Sequence, residues 1–291
     1  MIIRPMNVRR RDGSVIAVAI AGDRAGAPLL LCHGLADSRL SAHLLAAPAR
    51  ERGLCVIAPD RPGTGRSEPR RLERLADWSE DAAAVLDALR LDSTAVIGIS
   101  GGGAFAAACA ATLPDRVHAL VLVSPLGRPE WGSRGMAPGE RLSLAMATRA
   151  PAFGGWFLAR LANVARRSPS AFLRIATTEL PRVDRRELQR AEPRRAFVAG
   201  YVEAFRRGAS GVTQDLRLLT RPWEFELDAI RAPTRIHHGD ADTTVPAEHA
   251  RRFAAAIPGA RLRLHRGHGH FSLVGVAAGQ ILDALGGCVS D

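Results

Sequence analysis

Lysine is absent. All 40 basic residues of the 291 are arginine, which reads as a compositional bias rather than the mark of a functional surface. No apolar run approaches the roughly 20 residues that a membrane-spanning helix needs, so no integral membrane segment is expected. Cysteine is sparse, and Cys32, Cys55, Cys109 and Cys288 lie far apart with no metal-ligand spacing. Three of the four fall in stretches that read as buried strand or helix, where a free thiol acts as a small hydrophobe, and a reducing, cytoplasmic setting is expected. Internal repeats and low-complexity tracts are also missing. What remains is 47% hydrophobic and 24% charged, ordinary for a globular chain, and one domain with a sizeable insertion is expected.

The formal charge of +11 is unevenly placed. Positions 127–222 hold 18 arginines against 8 acids, whereas the remainder holds 22 against 21. One segment carries nearly all the excess. Its arginines admit three readings: a solvated face, steering of an anionic substrate, or contact with an anionic membrane surface. Nucleic-acid binding has no recognisable module here, and arginine bias accounts for the charge better.

Near the start, Arg9-Arg10-Arg11 precedes an apolar run at 15–20, superficially like a secretory signal. Asp12 and Gly13 between them favour a β-hairpin with Arg11-Asp12-Gly13-Ser14 as its turn. Apolar runs at 28–32, 54–58, 95–99, 118–123 and 233–238 then read as buried strands, with a last strand at 261–265. Helical spacing separates them; Asp37 or Ser38 can cap a helix reaching about Arg52, and a final helix spans about 272–285. Non-alternating strands separated by helices imply a mostly parallel sheet covered on both faces. Between 127 and 221 the alternation stops. That stretch reads as helical pieces broken at Pro138, Pro151, Pro169, Pro181 and Pro193, with Phe197, Tyr201 and Phe205 on one helical face.

The chemistry centres on Gly98-Ile99-Ser100-Gly101-Gly102, set between a strand and an alanine-rich helix. A serine on such a tight turn has its hydroxyl pushed clear of the backbone, and the flanking glycines let the turn close. A serine hydroxyl needs a base to take its proton and a carboxylate to orient the base. Two later strands end in groups of the right kind, Gly239-Asp240-Ala241-Asp242 and His268-Gly269-His270-Phe271. Asp240 competes with Asp242, and His268 with His270. A metal site at His265, His268 and His270 lacks a nearby cysteine or carboxylate, and neither metal nor cofactor is expected.

With His33-Gly34, the loop Asp60-x-x-Gly63-x-Gly65-x-Ser67, Gly98-x-Ser100-x-Gly102, Gly239-x-x-Asp242-x-x-Val245-Pro246 and Gly269-His270-Phe271 in that order, the chain resembles the α/β-hydrolase superfamily, in its capped serine esterase-like branch. The resemblance implies an eight-stranded, mostly parallel sheet flanked by helices (residues 1–126 and 222–291) with a helical cap at 127–221. It implies Ser100 as nucleophile, His270 as base, Asp242 as its orienter, and the backbone N–H groups of Leu35 and Gly101 as oxyanion hole. His33, expected to order the oxyanion loop, is also a candidate pocket residue with Phe157, Phe197, Tyr201 and Phe271. The implied activity is cleavage of a small or medium carboxylic ester, with anionic and carrier-bound esters among the candidate substrates. A carbon–carbon bond hydrolase or a cofactor-free perhydrolase shares the same groups. A non-catalytic binding protein on this scaffold typically lacks one of the three, and here all three are present.

Overall fold

A computed structural model of the protein describes residues 3–286. Cys288 lies outside them. An N-terminal hairpin, β1 (Arg4–Arg9) and β2 (Val15–Gly22), pairs antiparallel with Arg9 opposite Val15. Its turn is held by the Asp12 carboxylate, which accepts from the Ser14 N–H and hydroxyl. The hairpin edges a sheet completed by β3 (Ala27–Cys32), β4 (Leu54–Pro59), β5 (Thr94–Ile99), β6 (Val117–Val123), β7 (Thr234–Gly239) and β8 (Arg261–His265). The strand order is β1-β2-β4-β3-β5-β6-β7-β8, antiparallel at the β1–β2 and β2–β4 pairs and parallel from β4 to β8.

The helices of the sheet are α1 (Ala42–Glu51), α2 (Trp78–Ala88), α3 (Gly102–Thr112), α10 (Ala247–Ala256) and α11 (His270–Gly286). Strand side chains alternate between the faces. Leu30 and Cys32 join one apolar core with α2, α3 and α10, and Leu29 and Leu31 join another with α1 and α11. Both faces are therefore apolar, which is why the strands read as continuous hydrophobic runs. The alanines of α3 are buried through Ala110, so that helix is apolar all round rather than striped.

Six helices separate β6 from β7: α4 (Pro138–Arg149), α5 (Pro151–Arg167), α6 (Pro169–Ala176), α7 (Arg182–Glu187), α8 (Ala191–Ala204) and α9 (Ser210–Leu219). All but α7 contribute to a small apolar core around Phe172, Tyr201 and Phe205, which also takes in Ala36 of the loop after β3. The prolines start helices rather than break them. Pro138, Pro151 and Pro169 are each the first helical residue, and Pro193 lies within the first turn of α8, where a missing N–H leaves no bond unmade.

Two helix starts differ from the sequence expectation. Ser38 caps a short 3₁₀ turn at Arg39–Ser41 before α1, and α11 begins at His270 rather than Ser272. No helix among the described residues is long and apolar enough to cross a membrane.

Candidate active site

The carboxyl ends of β3, β5 and β7 open on one cavity of about 560 Å³, with Leu35, Ser100, Gly101, Val245 and His270 among its walls. In an open parallel sheet this is where chain segments leaving adjacent strands can converge. β5 stops at Ile99, and Ser100 takes a φ of +55°. A non-glycine residue pays roughly 1–3 kcal/mol there and stays only when its surroundings impose it. They do so through three backbone bonds. The Ser100 N–H donates to Val123 O at 2.9 Å, and its carbonyl accepts from Gly103 N at 2.9 Å and Leu126 N at 3.0 Å. The flanking glycines are steric requirements. A Cβ at Gly98 would lie 2.6 Å from that of Ala106, and one at Gly102 would overlap the carbonyl oxygens of Cys32 and His33.

After β7 the chain turns so that Asp242 Oδ1 accepts from Thr244 N (2.9 Å) and Val245 N (2.8 Å). These bonds fix the carboxylate and aim Oδ2 at His270 Nδ1, 2.7 Å away. With the Nδ1 proton directed at a carboxylate, Nε2 is the nitrogen able to accept a proton. Burial works against the charged imidazole, but the charge and hydrogen bond of Asp242 outweigh it, helped by Asp184 and Glu140, so the His270 pKa lies above its ordinary value. Burial also opposes ionisation of Asp242, yet His270 and the turn amides hold its pKa below the usual carboxylate value. The rival groups are placed elsewhere. Asp240 is exposed and accepts from Gly267 N at 2.7 Å, His268 Nδ1 sits 2.9 Å from Arg266 O, and His265 pairs with His237.

Leu35 N lies 3.3 Å from the point a Cβ would take at Gly101, so the loop after β3 and the turn after β5 run side by side. Of the expected pocket residues, Phe157, Phe197, Tyr201 and Phe271 line the cavity, with the Phe197 and Phe271 rings meeting edge-on at 4.9 Å. His33 does not line it. It is 1% exposed behind the loop, with Nδ1 3.0 Å from Gly34 O and Nε2 accepting from Arg61 N at 3.4 Å. Burial and the adjacent Arg61 hold its pKa well below the ordinary value. It is thus a neutral brace for the loop. Asp60 is a brace too, accepting from Arg39 and Arg66.

Two further residues shape the site, and sequence reading passes over both. Arg61 is completely buried, donating to His33 O (2.6 Å) and Gly34 O (2.8 Å), pairing with Asp215 of α9 at 2.8 Å, and lying 4.3 Å over the Phe105 ring. Nothing local announces it, because its partner is 154 positions away. Asp184, on α7, accepts from the first backbone amides of α11. In sequence it sits among Arg182, Arg185 and Arg186 and reads as part of a solvated face.

The ionisable residues lining the cavity differ in kind from the arginines that dominate the segment that helps to build it. The cavity's ionisable walls besides His270 are Tyr201 and the carboxyls of Asp37, Glu140 and Glu179, and no arginine lines it among the described residues. Glu179 is anchored by the Gly139 N–H at 2.6 Å. Burial raises Glu140 and pushes Asp37 up to about 7.

A strand-ordered sheet with this convergence of loops defines a fold, and comparison identifies it. The family model described as the alpha/beta hydrolase fold matches residues 27–275, and the chain belongs to that family. It is 26% identical over 276 residues to an uncharacterized hydrolase of Bacillus subtilis, covering 92% of this chain and 93% of that one. A 2-hydroxymuconate semialdehyde hydrolase of a Pseudomonas species is 37% identical over 107 residues, 35% of this chain and 38% of its own. Among solved structures, a bromoperoxidase from Bacillus anthracis superposes with a TM-score of 0.74 at 21% identity, covering 99% of this chain and all (100%) of that one. An esterase from Thermogutta terrifontis gives 0.70 at 20%, covering 98% and 99%. At these identities the structural likenesses carry the fold alone.

Proposed function

We propose that the protein is a serine hydrolase acting on small or medium carboxylic esters through an acyl-enzyme, with residues 127–221 acting as a cap over a core formed by 1–126 and 222–291. The observation that carries this reading is the 2.7 Å Asp242–His270 bond at a cavity that also holds Ser100 on its left-handed turn. Ser100 Oγ attacks the ester carbonyl carbon as His270 Nε2 takes the hydroxyl proton. The oxyanion forms against the N–H groups of Leu35 and Gly101, where each such donor is typically worth about 3–4 kcal/mol of barrier. Collapse breaks the bond to the alcohol, which leaves with the proton from His270. Water then attacks the acyl carbon, giving a proton to His270, and the second collapse returns that proton to Ser100 as the acid departs. Helices of the cap supply apolar walls through Phe157, Phe197 and Tyr201, limiting water around the acyl group.

The acidic walls narrow the substrate. An anionic acyl group would meet Glu140 and Glu179 with no arginine lining the cavity among the described residues, so neutral and cationic esters are favoured over anionic ones. The same charge weighs against a carbon–carbon hydrolase acting on a carboxylate such as a muconate derivative. With 4-nitrophenyl butyrate, its 4-trimethylammonio analogue and the mono-4-nitrophenyl ester of succinate, kcat/KM should be at least about tenfold lower for the anionic ester, a barrier difference of about 1.4 kcal/mol. A preference for the succinate ester would overturn the charge argument, and failure to turn over any ester would overturn ester hydrolysis.

The pH dependence follows from His270. The imidazole accepts the serine proton only when neutral, and its pKa is raised above 6.5. Activity on the neutral ester should therefore be lost as pH falls, with a midpoint above that of free imidazole. A midpoint well below 6.5 would contradict the assignment of His270 as base.

A further inference from the structure

We propose that Asp184 is a positioning residue for His270, capping the helix that begins with it and tying that helix to the segment between β6 and β7. The inference rests on the reading of His270 as the base. The first four N–H groups of a helix have no partner within it, and the side chain of the preceding residue usually accepts one of them. In α11 that preceding residue is Gly269, which has no side chain to offer. Asp184 takes over from 86 positions away, with Oδ2 accepting from His270 N at 2.8 Å. Its Oδ1 accepts from Phe271 N at 3.2 Å and Ser272 N at 2.8 Å. The carboxylate is completely buried, and a negative group at a helix N-terminus is favoured by the helix dipole.

The glycine is the condition for this arrangement. A Cβ on Gly269 would overlap the Asp184 carboxylate, and one on Gly275 would overlap that of Glu187. Thus α7 seats two carboxylates against two glycines, one just before α11 and one within it. The bonds are consistent with α11 beginning at His270, two residues before the expected start, because Asp184 supplies acceptors for the amides of His270, Phe271 and Ser272. The backbone of His270 is thereby held from one side while Asp242 holds its imidazole from the other. A displacement on the order of 1 Å at a reacting group can cost about a hundredfold in rate.

Several titratable groups act on this imidazole. Asp242 and His238 do so from β7 and the loop after it, Glu140 from α4 and Asp184 from α7. Asp37, on the loop after β3, lines the same cavity and titrates near 7, so the imidazole must be read directly by NMR of ¹³C-labelled histidine. Asp184→Asn keeps the size and an acceptor oxygen but removes the charge. Its kcat should fall at least about tenfold with KM within about twofold, and the His270 midpoint should move to lower pH. Asp184→Glu, which keeps the charge, should bring that midpoint back toward the wild type.

If Asp184 merely docks the helical segment, the folded Asp184→Asn protein will melt earlier with kcat and the His270 midpoint unchanged, and the proposal is overturned. Should the variant fail to fold, amide exchange in the wild type decides. Slow exchange at His270, Phe271 and Ser272 supports the cap, and free exchange, as in an open first turn, refutes it. The titration and the exchange rates need no substrate, so they stand apart from the question of whether the wild type hydrolyses esters.

Discussion

Replacing Ser100 by alanine is expected to lower kcat on the esters described above by on the order of 10⁴-fold or more, and to abolish covalent labelling by a fluorophosphonate. The backbone at Ser100 is fixed by its bonds to Val123, Gly103 and Leu126, all main-chain groups that the substitution leaves intact. Alanine carries the same Cβ, so the turn at φ +55° is no worse accommodated, and the variant should fold. What is lost is the one atom that forms the acyl bond. Residual turnover should remain above the uncatalysed rate, because the backbone donors at Leu35 and Gly101 and the cavity walls are retained. Equal labelling of variant and wild type would remove Ser100 as nucleophile. Labelling of the wild type without ester turnover would keep Ser100 and move the reaction toward carbon–carbon cleavage or perhydrolysis.

Arg61→Met is expected to reduce stability by about 3–5 kcal/mol, the usual consequence of removing one partner of a buried ion pair. The guanidinium is fully enclosed, and its loss leaves the Asp215 carboxylate, 1% exposed, without its countercharge. The carbonyls of His33 and Gly34 lose their donors at the same time. Urea denaturation should show a large fall in midpoint at an unchanged slope. Because Arg61 holds the loop that presents Leu35 N, the folded variant should also lose kcat. The double variant Arg61→Met/Asp215→Leu tests the cause: it should recover much of the stability, since two apolar groups replace the stranded charge, but not the activity. A single variant as stable as the wild type would show that the pair contributes nothing to folding.

The two residues differ in how far the sequence exposes them. Ser100 is legible because the elbow is local: the strand, the glycines that would otherwise clash and the buried helix are all encoded within positions 94–112. The sheet is legible for the same reason, since strands covered on both faces must be apolar throughout. Arg61 and Asp184 are not legible, because their roles depend on partners brought together from distant segments. An arginine in a turn-rich loop and an aspartate among arginines look like solvent-facing charge until folding buries them. His33 was legible as a loop brace, but its place among the expected pocket residues is corrected only by its burial, which excludes it from the cavity. The region 127–222 is strongly basic, yet none of its arginines lines the cavity among the described residues. Net charge counts every arginine, whereas a cavity responds to the residues that line it, whose ionisable members are Asp37, Glu140, Glu179, Tyr201 and His270.

By itself, then, the sequence determined the order of strands and helices, the glycine-flanked serine and the family to which the chain belongs, because each is written in local spacing. Only the tertiary structure decided that Asp242 rather than Asp240 reaches His270, that Arg61 braces the loop beside Ser100, and that α11 begins at its histidine. Those outcomes depend on hydrogen-bond geometry between segments far apart in the chain, where a change of one or two residues in a turn redirects a carboxylate altogether.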